Sequence, residues 1–169
     1  PARTVDLLFE DEIQNVTDNG SVAFIGAGNY AGRVLIPAFK SNGANLNLIV
    51  SGGGVSATYF GKKYGFKQAS TDVGAALTDK SIDTVIIATR HDAHANQVLD
   101  SLEAGKHVFC EKPLCIELKQ LALIKEKTSE RPKQLLMIGF NRRFAPQIIK
   151  MKELLAPISE PKSIIITVN

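Results

Sequence analysis

The glycines in the run Gly26-Ala27-Gly28-Asn29-Tyr30-Ala31 have the types and spacing of a phosphate-binding turn. Gly26 would permit a tight turn, Gly28 would let the backbone approach a pyrophosphate, and Ala31 is small enough for close helix–strand packing. The N–H groups and the dipole at a helix start would then hold the phosphate charge. The alternative is a glycine-rich turn between a strand and a helix that binds no ligand.

A strand and a helix must flank such a turn if it is to bind a dinucleotide, and the sequence predicts both. The apolar residues 22–25 end on Gly26, as expected of a buried strand. Beyond the turn, apolar residues recur with a helical period on one face: Ala31, Val34, Leu35, Ala38 and Phe39. Because Pro37 cannot donate a hydrogen bond to the Arg33 carbonyl, we predict a kink in this helix.

Strands and helices alternate along residues 20–143, which predicts a doubly wound, parallel α/β sheet of the Rossmann type. Six strands are predicted at 22–25, 46–50, 68–70, 84–88, 107–110 and 135–138. Helices are predicted after the strands, near 31–39, 55–64, 72–77, 95–102, 117–128 and 148–155. Asp72 is a good N-cap for the third helix, and Gly105 is a good C-terminal stop for the fourth.

Polar, charged and glycine residues gather where these strands end, which is where open parallel sheets bind their ligands. Besides the glycine turn, this edge is predicted to carry Ser51, Gly52, Thr89, Arg90, His91, Glu111, Lys112 and Arg143. Their joint occurrence at one edge is stronger evidence for a ligand site than any one motif.

The composition is that of an ordinary soluble globular protein, with 44% hydrophobic and 22% charged residues. No apolar run reaches the ~18 residues of a membrane span, and no segment resembles a signal peptide. The net charge of +3 is too small and too scattered to predict nucleic-acid binding. We interpret Cys110 and Cys115 as two buried thiols in a reducing cytoplasm, and three scattered histidines predict no metal site.

Both ends of the chain are expected to lie outside the Rossmann domain. Residues 1–19 carry five acidic residues against the single Arg3, and we interpret them as a connector with a short helix. Residues 163–169 are predicted to form a buried-type strand, which needs a neighbouring strand. Because none follows, we interpret residues 144–169 as the helix and first strand of a second α/β domain that is missing from this chain.

The glycine turn and two later segments, in order and at matching spacing, resemble the Gfo/Idh/MocA oxidoreductase family. The later segments are Ala88-Thr89-Arg90-His91-Asp92-Ala93-His94 and Glu103-Ala104-Gly105-Lys106-His107-Val108-Phe109-Cys110-Glu111-Lys112-Pro113-Leu114. The resemblance implies an NAD(P)-dependent dehydrogenase or reductase of a sugar, sugar nucleotide or polyol. The segment Gly139-Phe140-Asn141-Arg142-Arg143-Phe144 further resembles members fused behind a zinc alcohol-dehydrogenase-like module, which are often linked with bacterial surface-polysaccharide synthesis.

This resemblance assigns roles to matching positions. Lys112 matches the lysine that positions the reacting hydroxyl and shuttles its proton, a task suited to a partly desolvated amine. Glu111 would orient Lys112 or contact the nicotinamide end, and a trans Lys112–Pro113 bond is expected. Three further residues would line the cofactor or substrate: Thr89, His94 and Arg143. The alternatives are a solvated Lys112, a His94 that satisfies backbone groups, and a solvated Arg142-Arg143 pair.

Two departures from the family pattern affect the expected function. Arg90 stands where the family usually has proline, so the path of that loop is not carried over. The family's substrate-binding Asp and His belong to the second domain, so this chain alone should bind cofactor with little or no turnover. The full-length protein is expected to be a cytoplasmic homo-oligomer with a small sugar-like substrate and no nucleic-acid or membrane partner. A non-catalytic dinucleotide sensor or scaffold is the alternative.

The choice of cofactor is predicted from the end of the second strand, where an acidic residue would bind the ribose diol and repel a 2′-phosphate. Ser51 occupies that position, Gly52-Gly53-Gly54 follow it, and residues 19–71 contain no Asp or Glu. A hydroxyl and glycine N–H groups can hold an oxyanion, with Lys62 or Lys63 as counter-charge. We therefore predict that NADP(H) binds at least as readily as NAD(H); a loose pocket that takes either is the alternative.

Overall fold

The computed structural model describes residues 3–7, 20–165 and 167. The chain divides into two compact units, residues 1–139 and 140–169, and each is described by itself. The first unit holds a seven-stranded sheet with helices on both faces, and the second holds a 3-10 helix and an α-helix.

The sheet has the order β1-β4-β3-β2-β5-β6-β7. Its strands are β1 (Thr4–Asp6), β2 (Ser21–Ile25), β3 (Asn45–Val50), β4 (Gln68–Ser70), β5 (Thr84–Ile87), β6 (His107–Cys110) and β7 (Leu136–Ile138). All neighbouring strands are parallel except β1 and β4, which are antiparallel. The chain builds outwards from β2 to β4 and then returns to build from β5 to β7, so the switch point lies between β2 and β5. The predicted doubly wound Rossmann fold is confirmed.

The helices also follow the predicted alternation. They are α1 (Ile36–Ser41), α2 (Val55–Tyr64), α3 (Val73–Thr78), α4 (His91–Glu103), α5 (Leu118–Glu130) and α6 (Pro146–Leu155). The Asp72 carboxylate accepts a hydrogen bond of 2.9 Å from the Gly74 N–H, which confirms the predicted N-cap of α3. Gly105 has a φ of +80° just beyond α4, a conformation that favours glycine and ends the helix there.

The helix that follows the glycine turn contains a π-helical segment, Ala31–Leu35, directly before α1. The Ile36 N–H donates to the Ala31 carbonyl, five residues back, and Pro37 lies in the first turn of α1. Because helix precedes Pro37 without a break, its missing N–H leaves a carbonyl of the preceding turn without that donor, and the wider π-helical turn lies directly before it. The disturbance predicted at Pro37 therefore takes the form of a widened turn.

Apolar side chains cover the sheet on both faces, as β-branched strands predict. On one face the strands pack against helices α3, α4 and α5 through Ala76, Ala95, Val98, Leu102 and Ile124. On the other face the Phe24 ring makes edge-to-face contacts with Phe39 and Phe66, at centroid distances of 5.5 and 5.7 Å. These two cores hold the strand ends, and therefore the loops that follow them, in fixed positions.

The N-terminal segment differs from the predicted connector, because Thr4–Asp6 form an edge strand paired with β4. The Leu7 N–H donates to the Lys67 carbonyl at 2.7 Å, and the Leu7 side chain packs against the core on the Phe24 face. A strand of three residues is too short to show a hydrophobic pattern, so only its pairing with β4 identifies it. The helix predicted within this connector falls on residues 8–19, outside the described residues.

In the second unit the 3-10 helix Asn141–Phe144 precedes α6, so the helix predicted near 148–155 is present. Residues 163–165 and 167 form no strand, which corrects the prediction of a strand at 163–169 for the residues described there. An extended segment becomes a strand only when another strand pairs with it, and no described strand does so.

Both cysteines are free thiols; Cys110 is buried and Cys115 is half-buried. Burial raises the pKa of the Cys110 thiol to about 12, and the neighbouring Glu111 and Cys115 act in the same direction. Within the described part of the chain, no helix is both long enough and apolar enough to cross a bilayer. No group of three His, Cys, Asp or Glu side chains there could hold a metal ion.

Candidate functional site

Two cavities open at the carboxyl edge of the parallel strands, around the switch point between β2 and β5. The larger, of about 670 Å³, extends from the glycine turn to the end of β3, and we call it the β3 cavity. The smaller, of about 290 Å³, extends from the same turn to the end of β6, and we call it the β6 cavity. Both are lined by Gly28, Ala88 and Thr89, so together they form one continuous cleft.

Every site residue predicted from the sequence lines one of these cavities, except Arg143 and the proposed counter-charges Lys62 and Lys63. The β3 cavity is lined by Gly26, Gly28, Ser51, Gly52, Thr89 and Arg90. The β6 cavity is lined by Gly28, Asn29, Tyr30, Ala31, Thr89, His91, His94, Glu111 and Lys112. Arg143 belongs to the second unit, within its 3-10 helix, so its contact with cofactor or substrate stays a prediction.

The glycines of the cleft fall into two kinds. Gly26 has a φ of +103°, and a Cβ added there would collide with the Ala88 carbonyl, so the protein itself requires glycine at this turn. A Cβ added at Gly28, Gly52 or Gly53 would meet no atom within 4 Å. These three positions face open space, and nothing in the described chain explains why they lack a side chain.

A helix begins at the glycine turn and directs its N-terminus into the cleft. The Gly32 N–H donates to the Gly28 carbonyl at 2.9 Å, and residues 29–41 are helical throughout. The first turn of a helix leaves N–H groups without intrahelical partners and carries a partial positive charge. This end of the helix is therefore suited to an anion such as a pyrophosphate.

At the end of β3, the Ser51 Oγ accepts a hydrogen bond of 3.2 Å from the Ala57 N–H at the start of α2. Because the Oγ acts as acceptor there, its own proton remains free to be donated into the β3 cavity. The cavity wall here contains no carboxylate from β3 or from the loop behind it, as the sequence predicts.

The lysines predicted to supply a counter-charge lie at the wrong end of α2. Lys62 and Lys63 are in its last turn, and the Lys63 Nζ is 5.2 Å from the centroid of the Tyr64 ring. At 1.5 Å per residue they lie about 10 Å along the axis from the start of the helix, which faces the cavity. The cation that lines the β3 cavity is instead Arg90, which is exposed and 3.6 Å from the Asp92 carboxylate.

Glu111 and Lys112 are adjacent in sequence but differ in exposure. The Glu111 side chain is buried, and its Oε2 accepts a hydrogen bond of 3.3 Å from the Lys112 backbone N–H. Among the described residues, the Glu111 Oε1 is the one buried side-chain nitrogen or oxygen without a hydrogen-bond partner. A Cβ added at Gly139 would lie 2.6 Å from this oxygen, so glycine at that position leaves room for the carboxylate.

Lys112 departs from the predicted desolvated amine, because it is exposed at the open side of the β6 cavity. Its contact with Glu111 runs through the Lys112 backbone and not through its amine, which is not the orienting contact predicted. The Lys112–Pro113 bond is cis, contrary to the trans bond expected; the tertiary amide before proline makes that isomer accessible.

His94 lies on the first turn of α4 and is buried. Its Nδ1 is 2.7 Å from the Pro113 carbonyl oxygen, and its Nε2 is 3.2 Å from the Thr89 carbonyl oxygen. The ring nitrogens therefore contact the backbone of the two loops that flank the β6 cavity, which is the alternative left open by the sequence.

Four polar residues of the β3 cavity were not predicted: Ser56, Thr71, Asp92 and Gln97. Thr71 directly follows β4, so the rule that strand ends carry the site would have identified it. The Gln97 Oε1 accepts a hydrogen bond of 2.6 Å from the Thr89 Oγ1. Gln97 lies three residues after His94, on the same face of α4, so helical periodicity would have indicated it.

A parallel, doubly wound sheet with a glycine turn and a helix start at its switch point defines a Rossmann-type nucleotide-binding domain. The chain belongs to the Gfo/Idh/MocA oxidoreductase family with an NAD-binding Rossmann fold, whose family model matches residues 21–140. The family predicted from the motifs is therefore confirmed.

Three relatives show what this chain is similar to. An inositol 2-dehydrogenase/D-chiro-inositol 3-dehydrogenase of Lactiplantibacillus plantarum is 33% identical over 79 residues, which are 47% of this chain and 23% of that protein. A 3-ketoreductase of Actinomadura kijaniata in complex with TDP-benzene and NADP is 27% identical with a TM-score of 0.76, over 83% of this chain and 44% of that one. A myo-inositol dehydrogenase of Lactobacillus casei in complex with NAD(H) and myo-inositol is 26% identical with a TM-score of 0.76, over 82% of this chain and 42% of that one. The chain thus spans less than half the length of these proteins.

Proposed function

We propose that this chain is the cofactor-binding part of an NAD(P)-dependent oxidoreductase that acts on a CH–OH group of a sugar, sugar nucleotide or polyol. The observation that carries the proposal is the open space in front of Gly28, Gly52 and Gly53, where the protein has no need for glycine but a bound ligand would. Family membership and the inositol dehydrogenase and ketoreductase relatives support it.

The residues of the cleft suit the parts of a dinucleotide. The helix start at Gly28–Ala31 would hold the pyrophosphate through backbone N–H groups. The β3 cavity, with Ser51 and Thr71 on its wall, would take the adenosine end, and the β6 cavity would take the nicotinamide end. A nicotinamide bound there would supply hydride chemistry between the substrate alcohol and the corresponding ketone.

Two side chains of the β6 cavity would act on the substrate side. The free amine of Lys112 has no hydrogen-bond or ion-pair partner among the described residues and would hold or move the hydroxyl proton. The unpaired Glu111 Oε1 is a buried acceptor, so it would accept a hydrogen bond from an N–H or O–H group that enters the cavity.

The remaining parts of the proposal concern the whole protein. A second domain would supply the rest of the substrate site and the surface of a homo-oligomer. The segment Gly139–Phe144 supports fusion behind a zinc alcohol-dehydrogenase-like module and a role in surface-polysaccharide synthesis, through its resemblance to such members. For the cofactor, we propose that NADP(H) binds at least as readily as NAD(H), because the end of β3 offers a hydroxyl and no carboxylate.

Replacing Gly28 with valine tests the proposal. A Cβ at this position meets no protein atom and the backbone has no left-handed φ, so Gly28→Val should fold normally. Its side chain would project into the space of the pyrophosphate, so affinity for NADPH and NADH in calorimetry should fall by about 100-fold or more. Ala122→Val, which adds bulk on the exposed side of α5 and outside both cavities, should bind as the parent does. Equal affinity in Gly28→Val and the parent would refute the assignment of this turn.

A further inference from the structure

The carbonyl of Gly32, near the start of the helix that follows the glycine turn, is without its usual helical donors. In an α-helix this oxygen would accept from the Ile36 N–H, but that group donates to the Ala31 carbonyl instead. In the π-helical register it would accept from residue 37, and Pro37 has no N–H. Gly32 is buried, so its carbonyl would cost free energy if no other group donated to it.

A donor for this carbonyl comes from helix α2. The Tyr64 hydroxyl donates to the Gly32 carbonyl at 2.7 Å, from a position 32 residues further along the chain. The Tyr64 backbone carbonyl in turn accepts a hydrogen bond of 2.7 Å from the Lys40 Nζ of α1. Tyr64 is therefore bonded to this helical segment through both its side chain and its backbone, and its hydroxyl supplies the hydrogen that Pro37 lacks.

The backbone of Gly32 also forms the surface against which α2 packs. A Cβ added at Gly32 would collide with the Phe60 ring, so glycine lets α2 approach the helix closely. The rings of Phe60 and Tyr64, one helical turn apart, are stacked with their centroids 6.2 Å apart and an interplanar angle of 16°. Both rings pack against the core on the Phe24 face. The separation of the two helices is therefore set by a hydrogen bond and by ring packing.

Both helices contribute to the cleft that a dinucleotide would occupy. The Gly32 N–H donates to the Gly28 carbonyl at 2.9 Å, so the residue bonded to Tyr64 is also bonded to the glycine turn. At the other end of α2, Ser56 lines the β3 cavity. A change in the separation of the helices would move the pyrophosphate turn relative to the adenosine end of the cleft.

We infer that Tyr64 is a positioning residue: its hydroxyl replaces the N–H missing at Pro37 and fixes the distance between the glycine turn and the β3 cavity. A ligand that contacts both places binds best when that distance is already set, because no binding free energy is then used to adjust it. The effect on cofactor affinity rests on the proposed function, whereas the replacement of the missing donor is a property of the folded chain alone.

Denaturant unfolding of the parent, the two single variants and the double variant tests the replacement of the donor. Tyr64→Phe keeps the ring and leaves a buried carbonyl unpaired, so the equilibrium constant for unfolding should rise about 5–100-fold. In the Pro37→Ala background residue 37 has an N–H, which completes the helical bonds in either register. There the same substitution should raise the constant less than about threefold. Equal effects of Tyr64→Phe in both backgrounds would overturn the inference.

Calorimetry with NADPH and with adenosine 2′-monophosphate tests the positioning role in the folded chain. NADPH would span the glycine turn and the β3 cavity, so its Kd should rise about 5–20-fold in Tyr64→Phe. In the double variant with Pro37→Ala, that Kd should return to within about threefold of the Pro37→Ala value. Adenosine 2′-monophosphate would occupy the β3 cavity alone, so its Kd should change less than about twofold.

Tyr59→Phe, which removes a hydroxyl from an exposed position of the same helix, is the matched control and should leave both affinities unchanged. An NADPH affinity of folded Tyr64→Phe equal to that of the parent would overturn the positioning role, and so would an equal loss for both ligands. Failure of the parent to bind NADPH would contradict the proposed function instead, while the unfolding measurements would still decide whether Tyr64 replaces the missing donor.

Discussion

At the scale of single residues, two neighbours at the end of β6 have different environments. The Glu111 carboxylate is buried with one oxygen unpaired, and the Lys112 amine is exposed with no partner in the described chain. In the proposed function, the buried acceptor would orient a donor, and the accessible amine would exchange a proton with solvent after each turnover. We therefore propose Lys112, and not Glu111, as the group that moves the proton.

Replacement of Lys112 by alanine in the full-length protein should lower kcat by about 10²–10⁴-fold, because the hydroxyl proton loses its acceptor. Cofactor affinity should change little, since the glycine turn and the β3 cavity are intact. Lys125→Ala, which removes an exposed lysine of α5, is the control. Steady-state kinetics with inositols and nucleotide-linked sugars measure the effect; a kcat equal to that of the parent would remove Lys112 from the mechanism. A parent that binds NADPH but turns over no alcohol would favour the alternative of a sensor.

The residues of the site could largely be predicted because parallel strands bring their carboxyl ends to one edge, whatever the details of the fold. This rule identified many, but not all, of the residues that line the two cavities. It did not predict which backbone groups His94 contacts, because the carbonyls of Thr89 and Pro113 are brought to its ring only by the folded chain. The exposure of Lys112 was also beyond prediction, since it depends on how far the cleft opens.

At the scale of elements, we propose that the junction of β3 and α2 sets the cofactor preference. The Ser51 hydroxyl and the N-terminus of α2 both favour a negative group in the β3 cavity. Arg90 lines the same cavity and carries the positive charge that Lys62 and Lys63 do not bring there from the far end of α2. All three features favour a 2′-phosphate over a bare ribose diol.

Ser51→Asp reverses the charge preference at this junction. The parent should bind NADPH at least as tightly as NADH in competitive titrations, and the variant should shift the ratio of the two affinities towards NADH by at least about tenfold, because carboxylate and phosphate repel. Ser129→Asp adds the same charge on exposed α5, outside both cavities, and should leave the ratio unchanged. A clear NADH preference in the parent would show that the missing carboxylate does not decide selectivity.

Strands and helices were predicted well where the sequence has a clear hydrophobic pattern. They were predicted poorly where their formation depends on pairing with another segment. The buried strands β2, β3, β5 and β6 read as apolar runs, and each lies at most one residue from its predicted bounds. The edge strand β1 and the absent strand at 163–165 depend on whether another strand lies alongside, which no local pattern shows. The π-helical segment likewise depends on how the chain around Pro37 redistributes its hydrogen bonds.

At the scale of the whole molecule, the buried Cys110 thiol makes the free energy of unfolding depend on pH in the alkaline range. Its pKa is raised from 9.0 to about 12 in the folded chain, mainly by burial. Below pH 9 both states are protonated; between pH 9 and about 12 only the unfolded state loses this proton, so the free energy of unfolding falls as pH rises.

In Cys110→Ala the free energy of unfolding should decrease less steeply between pH 9 and pH 12 than in the parent, by up to about 1.4 kcal/mol per pH unit. Denaturant unfolding at pH 8 and pH 10 measures the difference, and Cys115→Ala, at the half-buried thiol, is the control. Identical pH slopes in Cys110→Ala and the parent would mean that the thiol ionises as readily in the folded chain as in the unfolded one.

The antiparallel strand β1 has a practical consequence for anyone who trims this chain to its family boundaries. The family match begins at residue 21, after β1, so a shortened chain would expose the backbone donors and acceptors of β4 along an open edge. It would also uncover the apolar surface beneath Leu7. An open edge of this kind pairs with strands of other molecules. Whether the shortened chain aggregates would therefore depend on a three-residue strand that lies outside the family match.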